Sequence, residues 1–587
     1  MLEQYFSDGR IINQICKERV KLAEKRHDRQ TINRMVGHVE ETTPTHPFYD
    51  MMPPHSLWSR YRSKIRTDGA NPNLFALKKA VRIMRCHQPH LPWVIELNRY
   101  VATIQARVLN SQSITITAPT ISWRLKEKGG HEYRALCRFN PDDNLILCLY
   151  AQYLRNVFDS QFSDSSYAFR APREGHILTH HDAFTAIYNL KHNSGNRSLY
   201  VAECDIRGFF DTVDHGVALS AFTAAAGKVN LHPRAKVIFR AYLDCYSFPQ
   251  NVLEGTEPRL KQREPQGYFK WPEPELRAMH NVDPRALRIG VPQGGAVSGV
   301  IANLVMDHAD KCVEAEGAKL GTGVDYFRYC DDMVLMSQTK KHCQAVFKAY
   351  LSKLTELKLV FHQPKRTVIY GRGHWENKSK APYRWSGEKW FGCVPWVQFV
   401  GYQIRYDGLV RPRKESVAKQ CMKLVETTNL IKYGLLGASQ GNQIRVNKNQ
   451  AVASLKSKLV AQGVGRIKGY ANGPKPMCWA SGYRALHNKP IVDHALKSFD
   501  KARKKQLRRF NAAVIAYGFG RNTQNSNRQD PEGYAFSYLA QFTNAGGRNL
   551  IENPWRPRNV KDTAKQFVFL TVRVLKGWWK SVGFKLR

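Results

Sequence analysis

The sequence lacks the features of several large classes of protein. Its 12 cysteines include no Cys-x-x-Cys pair, which argues against a structural zinc module and a disulfide framework, so we expect reduced, buried thiols. No run of about 18 apolar residues occurs, and residues 1–10 contain no apolar signal segment. We therefore expect a cytoplasmic protein without a membrane partner.

Acidic residues are scarce relative to basic ones. The chain has 48 Asp and Glu against 90 Lys and Arg, which gives a formal net charge of +42. A surplus of this size, interleaved with aromatic residues, favours nucleic acid as the partner. A chain of 587 residues is also too long for one compact core, and about three or four domains are expected.

Two consecutive aspartates occur in an apolar and aromatic context, VDYFRYCDDMVLM at residues 324–336. The pattern predicts two short strands that meet in a tight turn, with Asp331 and Asp332 at its tip. Adjacent carboxylates repel each other, and a hard divalent cation such as Mg²⁺ would compensate that repulsion. The turn is therefore a candidate metal site.

A second acidic position follows the pattern LYVAEC at residues 199–204, which predicts a strand. Asp205 at its end, together with the Asp331 turn, could hold two ions on adjacent strands. Two ions about 4 Å apart can activate a 3′-hydroxyl and stabilise the leaving pyrophosphate. We interpret Asp211 and Asp214 as residues that cap or turn the chain after this strand.

The third segment is GVPQGGAVSGVIANLVMD at residues 290–307. It predicts a glycine-rich loop that opens a helix. Its glycines let backbone approach a ligand closely, and Gln293 offers both a donor and an acceptor.

These three segments, in this order, resemble the palm motifs of bacterial reverse transcriptases, especially the group II intron and retron-like branch. The resembling elements are DIRGFFD at residues 205–211, VPQGG at 291–295 and the Tyr-x-Asp-Asp box YCDD at 329–332. The resemblance extends over residues 115–415. It implies DNA synthesis from dNTPs on an RNA template, with two Mg²⁺ ions and Mn²⁺ as the alternative ion.

The resemblance also implies roles for individual residues. The catalytic carboxylates would be Asp205, Asp331 and Asp332, and the metal site would include Ile206 beside them. The nucleotide-binding candidates are Lys126, Arg134, Arg207, Phe210, Gln293 and Lys365, in which Phe210 would exclude a ribose 2′-hydroxyl and Lys365 would protonate the leaving pyrophosphate. The primer grip would contain Phe399, Gly401 and Tyr402.

The expected fold class is α+β, a right-hand polymerase with fingers, palm and thumb. We assign residues 1–110 to a basic helical extension, 111–412 to fingers and palm, 413–500 to a helical thumb, and 501–587 to a basic helical extension that binds RNA. The residues predicted to contact RNA phosphates on that last extension are Lys501, Arg503, Lys504, Lys505, Arg508 and Arg509. Residues 255–284 are expected to form an extended loop or insertion.

The chain also departs from the group II pattern. Ser298-Gly299 replaces the usual Ser-Pro, and no zinc-binding endonuclease motif follows the thumb. The chain is in this respect more similar to defence-associated, abortive-infection-like bacterial reverse transcriptases, and that resemblance implies a role in bacterial antiviral defence, with a structured non-coding RNA as template. Three alternatives stay open, namely an intron-type enzyme that assists splicing, an RNA-dependent RNA polymerase, and a protein-primed or template-independent polymerase. Self-association into a homo-oligomer is also left open.

Overall fold

The computed structural model describes residues 2–35, 46–59, 71–127, 129–195, 197–263, 266–321, 324–388, 391–440, 448–463, 478–487, 489–492 and 494–516. The chain divides into two compact units, residues 1–416 with 490–492, and residues 417–489 with 493–587. Within the described ranges, no helix has the length and apolar character needed to cross a membrane.

The first unit begins with helices α1 (Leu2–Tyr5), α2 (Asp8–Met35), α3 (Pro47–Asp50), α4 (His55–Ser59), α5 (Pro72–His87) and α6 (Pro92–Gln105). Helix α5 packs on the core through one apolar face. Its residues Leu77, Val81 and Met84 are buried at helical spacing, and Asn71 caps its first turn. These helices share one hydrophobic core with the palm, so the N-terminal extension is packed on the polymerase core.

The fingers contain a hairpin of β1 (Thr120–Leu125) and β2 (Glu132–Arg138), followed by helix α7 (Pro141–Phe158). The prediction of an extended loop at 255–284 was wrong. That segment forms α12 (Glu257–Lys261), β4 (Tyr268–Phe269) and α13 (Glu273–His280), and β4 pairs in parallel with β2. Pairing with the fingers sheet satisfies backbone groups that an extended loop would leave to solvent.

The palm is a five-stranded sheet. Its elements are α8 (His180–Asn193), β3 (Leu199–Cys204), α9 (Phe209–Thr212), α10 (His215–Ala226), α11 (Pro233–Asp244), α14 (Ser298–Lys319), β5 (Val324–Tyr329), β6 (Asp332–Ser337), α15 (Lys340–Glu356), α16 (Arg372–Glu376), β7 (Lys380–Trp385) and β8 (Cys393–Val394). The strand order is β5-β6-β3-β7-β8, and β6 and β7 run antiparallel to β3 on its two sides. The predicted strand before Asp205, the hairpin at 324–336 and the helix after the glycine-rich loop are confirmed.

A three-stranded sheet of β9 (Trp396–Phe399), β10 (Tyr402–Arg405) and β11 (Val410–Pro412) follows the palm. A turn at Asp407-Gly408 joins β10 to β11.

The second unit is helical in its described residues. It contains α18 (Lys448–Gly463), α19 (His494–Ala516) and all but the first turn of α17 (Lys414–Gln440). Leu455 and Leu459 of α18 and Phe499 of α19 are buried. Residues 517–587, which carry most of the predicted C-terminal extension, lie outside the described residues.

Candidate active site

Asp205 lies directly after β3, the central strand of the palm. Its backbone N–H donates to Ser379 Oγ at 2.9 Å, and its carbonyl accepts the His362 N–H at 3.0 Å. Its carboxylate faces two basic groups, His362 Nε2 at 3.4 Å and Lys378 Nζ at 3.8 Å. The end of β3 is therefore held on the β7 side by backbone contacts and presents its carboxylate to a basic edge.

The Asp-Asp turn is placed next to Asp205 by strand pairing. Tyr329 pairs with Asp332, so Cys330 and Asp331 form a two-residue turn, and Cys204 of β3 pairs with Met333 of β6. Cys330 has φ +62°, a left-handed conformation that is uncommon for a residue with a side chain. The turn therefore brings Asp331 and Asp332 beside Asp205.

A buried ion pair holds this turn from behind. The Arg328 side chain is fully buried and donates to both carboxylate oxygens of Asp310, at 2.7 and 2.5 Å. It also donates to the Cys330 carbonyl at 2.9 Å. The guanidinium thus joins the strained turn to helix α14, and a charge this deeply buried depends on its partner.

The three carboxylates repel one another in a site that protein surrounds on most sides. Burial raises the pKa of Asp205 and of Asp331, while Lys378 and His362 partly offset the effect at Asp205. Burial, followed by the charges of Asp331 and Asp205, raises the pKa of Asp332 to about 7. Asp332 is nevertheless exposed to solvent.

A donor set of carboxylate oxygens with raised pKa values fits a hard divalent cation, which would stabilise the charged forms. Among the described residues, no three His, Cys, Asp or Glu side chains are close enough in their present positions to hold an ion. The carboxylates would therefore have to approach one another on binding. Ile206, the fourth residue predicted for the metal site, has its side chain in the core and could contribute only its backbone.

Phe210 and the glycine-rich loop line the next part of the palm. Phe210 is partly buried against the core, with its ring 5.4 Å from that of Phe209, and its carbonyl accepts the Val291 N–H at 2.7 Å. The Gln293 carbonyl accepts the Cys137 N–H at 2.9 Å, which ties the loop to the fingers hairpin. The Gln293 side chain is half-buried.

The two aspartates that follow Asp205 differ. Asp214 caps α10 by accepting the Val217 N–H at 2.9 Å, as predicted. Asp211 makes no such contact through Oδ1, which is buried without a hydrogen-bond partner. Burial raises the pKa of Asp211 to about 7, and the charges of Lys126 and Arg134 oppose the shift.

The predicted phosphate-binding residues do not all present a cation to solvent. Arg134 is exposed on β2 directly opposite Arg124 of β1, so two like charges face each other across the hairpin. Lys126 forms an ion pair with Glu132, and Arg207 forms one with Glu275 of α13. An anion between Arg124 and Arg134 would relieve their repulsion.

Lys365 is exposed and held at the start of β7 by its backbone, since its N–H donates to the Ser379 carbonyl at 3.2 Å. The lysine that lies next to Asp205 is Lys378. Lys378 and His362 are the residues that sequence reasoning missed. Neither carries a local pattern that marks it, because strand pairing alone brings them to Asp205.

The predicted primer grip is a two-residue turn between β9 and β10. The side chains of Phe399 and Tyr402 are buried, and Tyr402 stacks on Phe184 with a ring distance of 4.1 Å. Val400 and Gly401 form the turn with φ +42° and +89°. A strand could therefore contact this turn only through its backbone and the Val400 side chain.

The basic residues of α19 lie on the exposed part of that helix, with one exception. Lys501, Lys504, Lys505, Arg508 and Arg509 are exposed. Arg503 is not part of this surface, because its side chain is only 2% exposed and lies 3.4 Å from Asp500. Its spacing on the helix turns it inward, so the expected set of six phosphate contacts is reduced to five.

Carboxylates thus lie at the end of a central strand and at the adjacent hairpin turn, an arrangement that fits the palm of a right-hand polymerase fold. Residues 126–404 match the family described as reverse transcriptase (RNA-dependent DNA polymerase). The matched residues make up just under half of the chain, and over this part the chain is similar to reverse transcriptases.

Solved structures with a similar course of the chain are remote. Apo telomerase from Candida tropicalis is 13% identical, with 76% of this chain and 68% of that chain covered and a TM-score of 0.33. The RNA-dependent RNA polymerase of a human picobirnavirus is 12% identical, with 76% and 65% covered and a TM-score of 0.34. Candida albicans telomerase in complex with a telomeric RNA fragment is 10% identical, with 73% and 59% covered and a TM-score of 0.32. The chain thus spans about 60–70% of these proteins. No curated protein matches it in sequence.

Proposed function

We propose that the protein is an RNA-directed DNA polymerase that extends a primer with dNTPs. The observation that carries the proposal is that Asp205 and the turn with Asp331 and Asp332 lie at the same end of two paired strands, within the residues that match the reverse transcriptase family. Phosphoryl transfer needs positioning and charge neutralisation more than covalent chemistry, and this site offers both.

Asp205, Asp331 and Asp332 would hold two Mg²⁺ ions, which when bound activate the primer 3′-hydroxyl and neutralise the developing charge. Arg134 and Arg124 would neutralise the triphosphate, because they stand opposite each other on the exposed hairpin. Lys365 or Lys378 would donate the proton to the leaving pyrophosphate. Lys378 is the better placed donor, with its Nζ 3.8 Å from Asp205 Oδ2.

Primer extension on an RNA template tests the proposal. Asp331→Ala should abolish incorporation of dNTPs in Mg²⁺ and in Mn²⁺, because it removes a carboxylate from the site. Glu356→Ala removes an exposed carboxylate at the end of α15 and is the matched control, which should extend like wild type. Extension by Asp331→Ala at the wild-type rate would overturn the assignment.

Phe210 decides between DNA and RNA synthesis in this proposal. Its partly buried ring, five residues after Asp205, would clash with a ribose 2′-hydroxyl. Phe210→Val should therefore raise the use of ribonucleotides relative to deoxynucleotides, measured by competition in primer extension. If wild type prefers ribonucleotides, the enzyme is an RNA polymerase instead.

The biological role that we propose is antiviral defence in the bacterial cytoplasm, with a structured non-coding RNA as template. It is supported by the motif resemblance and by the five exposed cations of α19, which suit RNA phosphates. Phage challenge of cells with the gene and its flanking DNA should show protection that Asp331→Ala abolishes. Equal protection by Asp331→Ala would separate defence from synthesis and favour a binding role such as splicing.

Sequencing of nucleic acids that co-purify with the protein identifies the template. A reproducible RNA with a complementary DNA, absent from Asp331→Ala, is the expected result. DNA joined covalently to the protein, or DNA without a complementary RNA, would favour the protein-primed or template-independent alternative.

A further inference from the structure

Phe169 is a large aromatic residue in an unusual environment. Its side chain is 40% exposed, and its φ is +56°, in the left-handed region that bulky residues rarely adopt. Such a conformation is energetically unfavourable and persists only where the surroundings enforce it. A residue that leaves 40% of its surface in solvent gains only part of the free energy of full burial, so packing alone does not account for the strain.

The chain on either side of Phe169 is fixed by buried polar contacts. Asn303 of α14 donates to the Ala168 carbonyl at 2.8 Å, and the Ala171 N–H donates to Asp159 Oδ1 at 2.9 Å. The fully buried Arg170 donates to Asp159 Oδ1 and to the Ser163 carbonyl, each at 2.7 Å. These contacts fix the backbone on both sides of the ring, and we call this segment, residues 168–171, the pedestal.

One face of the ring lies on Gly299 at the start of α14. A Cβ at Gly299 would lie 2.6 Å from Cδ1 and from Cγ of Phe169, and 3.0 Å from Cδ2. These nearly equal distances show that the ring sits flat over the glycine. A side chain at position 299 would collide with the ring, so only glycine allows this packing. The requirement gives a physical reason for Ser298-Gly299 where resembling enzymes have Ser-Pro.

The pedestal is connected to the catalytic turn. The Tyr167 N–H donates to the Arg328 carbonyl at 2.9 Å, and the Arg328 guanidinium donates to the Cys330 carbonyl at 2.9 Å. Phe169 therefore lies along the β5 edge of the palm, on the side of Asp331 opposite to Lys378. The ring packs on Gly299 with one face, and part of its surface is open to solvent. Such a ring can stack on a nucleobase, because every base has a face that can stack.

We propose that Phe169 is a stacking platform for an unpaired base of the template strand. The inference rests on the proposed polymerase function and extends it by assigning a template contact. Stacking of one base on an aromatic side chain contributes about 1–3 kcal/mol, which is roughly 5- to 150-fold in affinity. Removal of the ring should weaken binding by a factor in this range.

The test measures affinity for a DNA primer on an RNA template, in an Asp331→Ala background that cannot extend it. Phe169→Ala should weaken binding of a substrate with an unpaired template overhang and leave a blunt duplex unchanged. Phe169→Trp should retain most of the affinity. Phe169→Leu, which keeps an apolar side chain on Gly299 without a ring, should behave like Phe169→Ala.

Substitution of Gly299 provides an independent test of the platform. Gly299→Ala should displace the ring and weaken overhang binding as Phe169→Ala does. The same glycine substitution should add nothing in the Phe169→Ala background, because no ring remains to be displaced. Thermal unfolding of each variant shows whether the fold is kept.

A 2-aminopurine base moved along the template reports the contact directly. Its fluorescence should be quenched at one overhang position in wild type and recover in Phe169→Ala. Any of three results would overturn the platform. They are equal losses of affinity for blunt and overhang substrates, additive effects of the two substitutions, and quenching only in the primer strand. If wild type fails to extend primers but quenching still depends on Phe169, the polymerase proposal fails and the platform stands.

Discussion

Two short turns in the first unit are both strained, yet they are held by opposite means. The turn at Cys330-Asp331 presents charged side chains and is fixed by the buried Arg328–Asp310 ion pair. The turn at Val400-Gly401 presents backbone and is fixed by the aromatic side chain of Tyr402, packed on Phe184. The ion pair fixes the orientation of the first turn, whereas the aromatic packing fixes only the position of the second turn.

The largest effect is expected from removal of the buried ion pair that holds the first turn. Arg328→Met should lower the free energy of unfolding by about 3–5 kcal/mol, since it leaves Asp310 buried without its partner. The double variant Arg328→Met/Asp310→Leu should regain stability in urea unfolding but not nucleotide incorporation, because the bond to the Cys330 carbonyl stays absent. Recovery of both would show that the ion pair does not position the turn.

Removal of one hydroxyl tests the aromatic support. The Tyr402 hydroxyl lies 2.6 Å from His181 Nδ1 in the core. Tyr402→Phe should lower the free energy of unfolding by about 1–3 kcal/mol, because a buried polar group loses this partner. Primer extension by the folded protein should change little, since the stacked ring remains. A severe loss of activity at unchanged stability would mean that the hydroxyl itself acts on substrate.

Relief of strain at the second turn should have a smaller effect of opposite sign. Val400 is β-branched and has φ +42°, which glycine adopts without steric cost. Val400→Gly should raise the free energy of unfolding by about 1 kcal/mol, after the flexibility that glycine adds to the unfolded chain. Thermal unfolding measures it. A lower melting temperature would show that the Val400 side chain contributes contacts worth more than the strain.

A last expected effect is a change in pH dependence at the first turn. The pKa of Asp332 is raised to about 7, whereas an aspartate in an unfolded chain titrates near about 4. The native state therefore keeps a proton that the unfolded state has lost, and the metal-free protein loses stability as pH rises from about 4 to about 7. Asp332→Asn should show a shallower fall in urea unfolding across this window. An equally steep fall would assign the titration to other groups.

The sequence predicted the palm well because its motifs are local. A strand, a turn and a helix that opens after glycines each depend on neighbouring residues, so Asp205, Asp331 and Gln293 could be placed without long-range information. Arg328 stands two residues before Cys330, but its role depends on Asp310 in a helix 18 residues away. No short pattern predicts that contact.

Other contacts failed prediction for the same reason. Lys378 and His362 reach Asp205 through pairing of distant segments. The sequence does not distinguish Arg503 from its basic neighbours, but its side chain is buried beside Asp500. The segment at 255–284 is rich in proline and glutamate, and only its pairing with β2 shows that it belongs to the fingers.

The distribution of the thiols has a practical consequence for spectroscopy. All 12 cysteines lie in the described residues, none is in a disulfide, and Cys86 on α5 is the exposed one among them. Four others, Cys148, Cys245, Cys312 and Cys421, are half-buried and less accessible to a dye. Burial raises the pKa of Cys148 to about 11, that of Cys245 to about 12 and also that of Cys421, so at neutral pH these three thiols stay protonated and react slowly. A maleimide dye applied briefly to the unmodified protein should therefore attach mainly at Cys86. A single fluorophore on the N-terminal helices would then report nucleic-acid binding without any engineered cysteine.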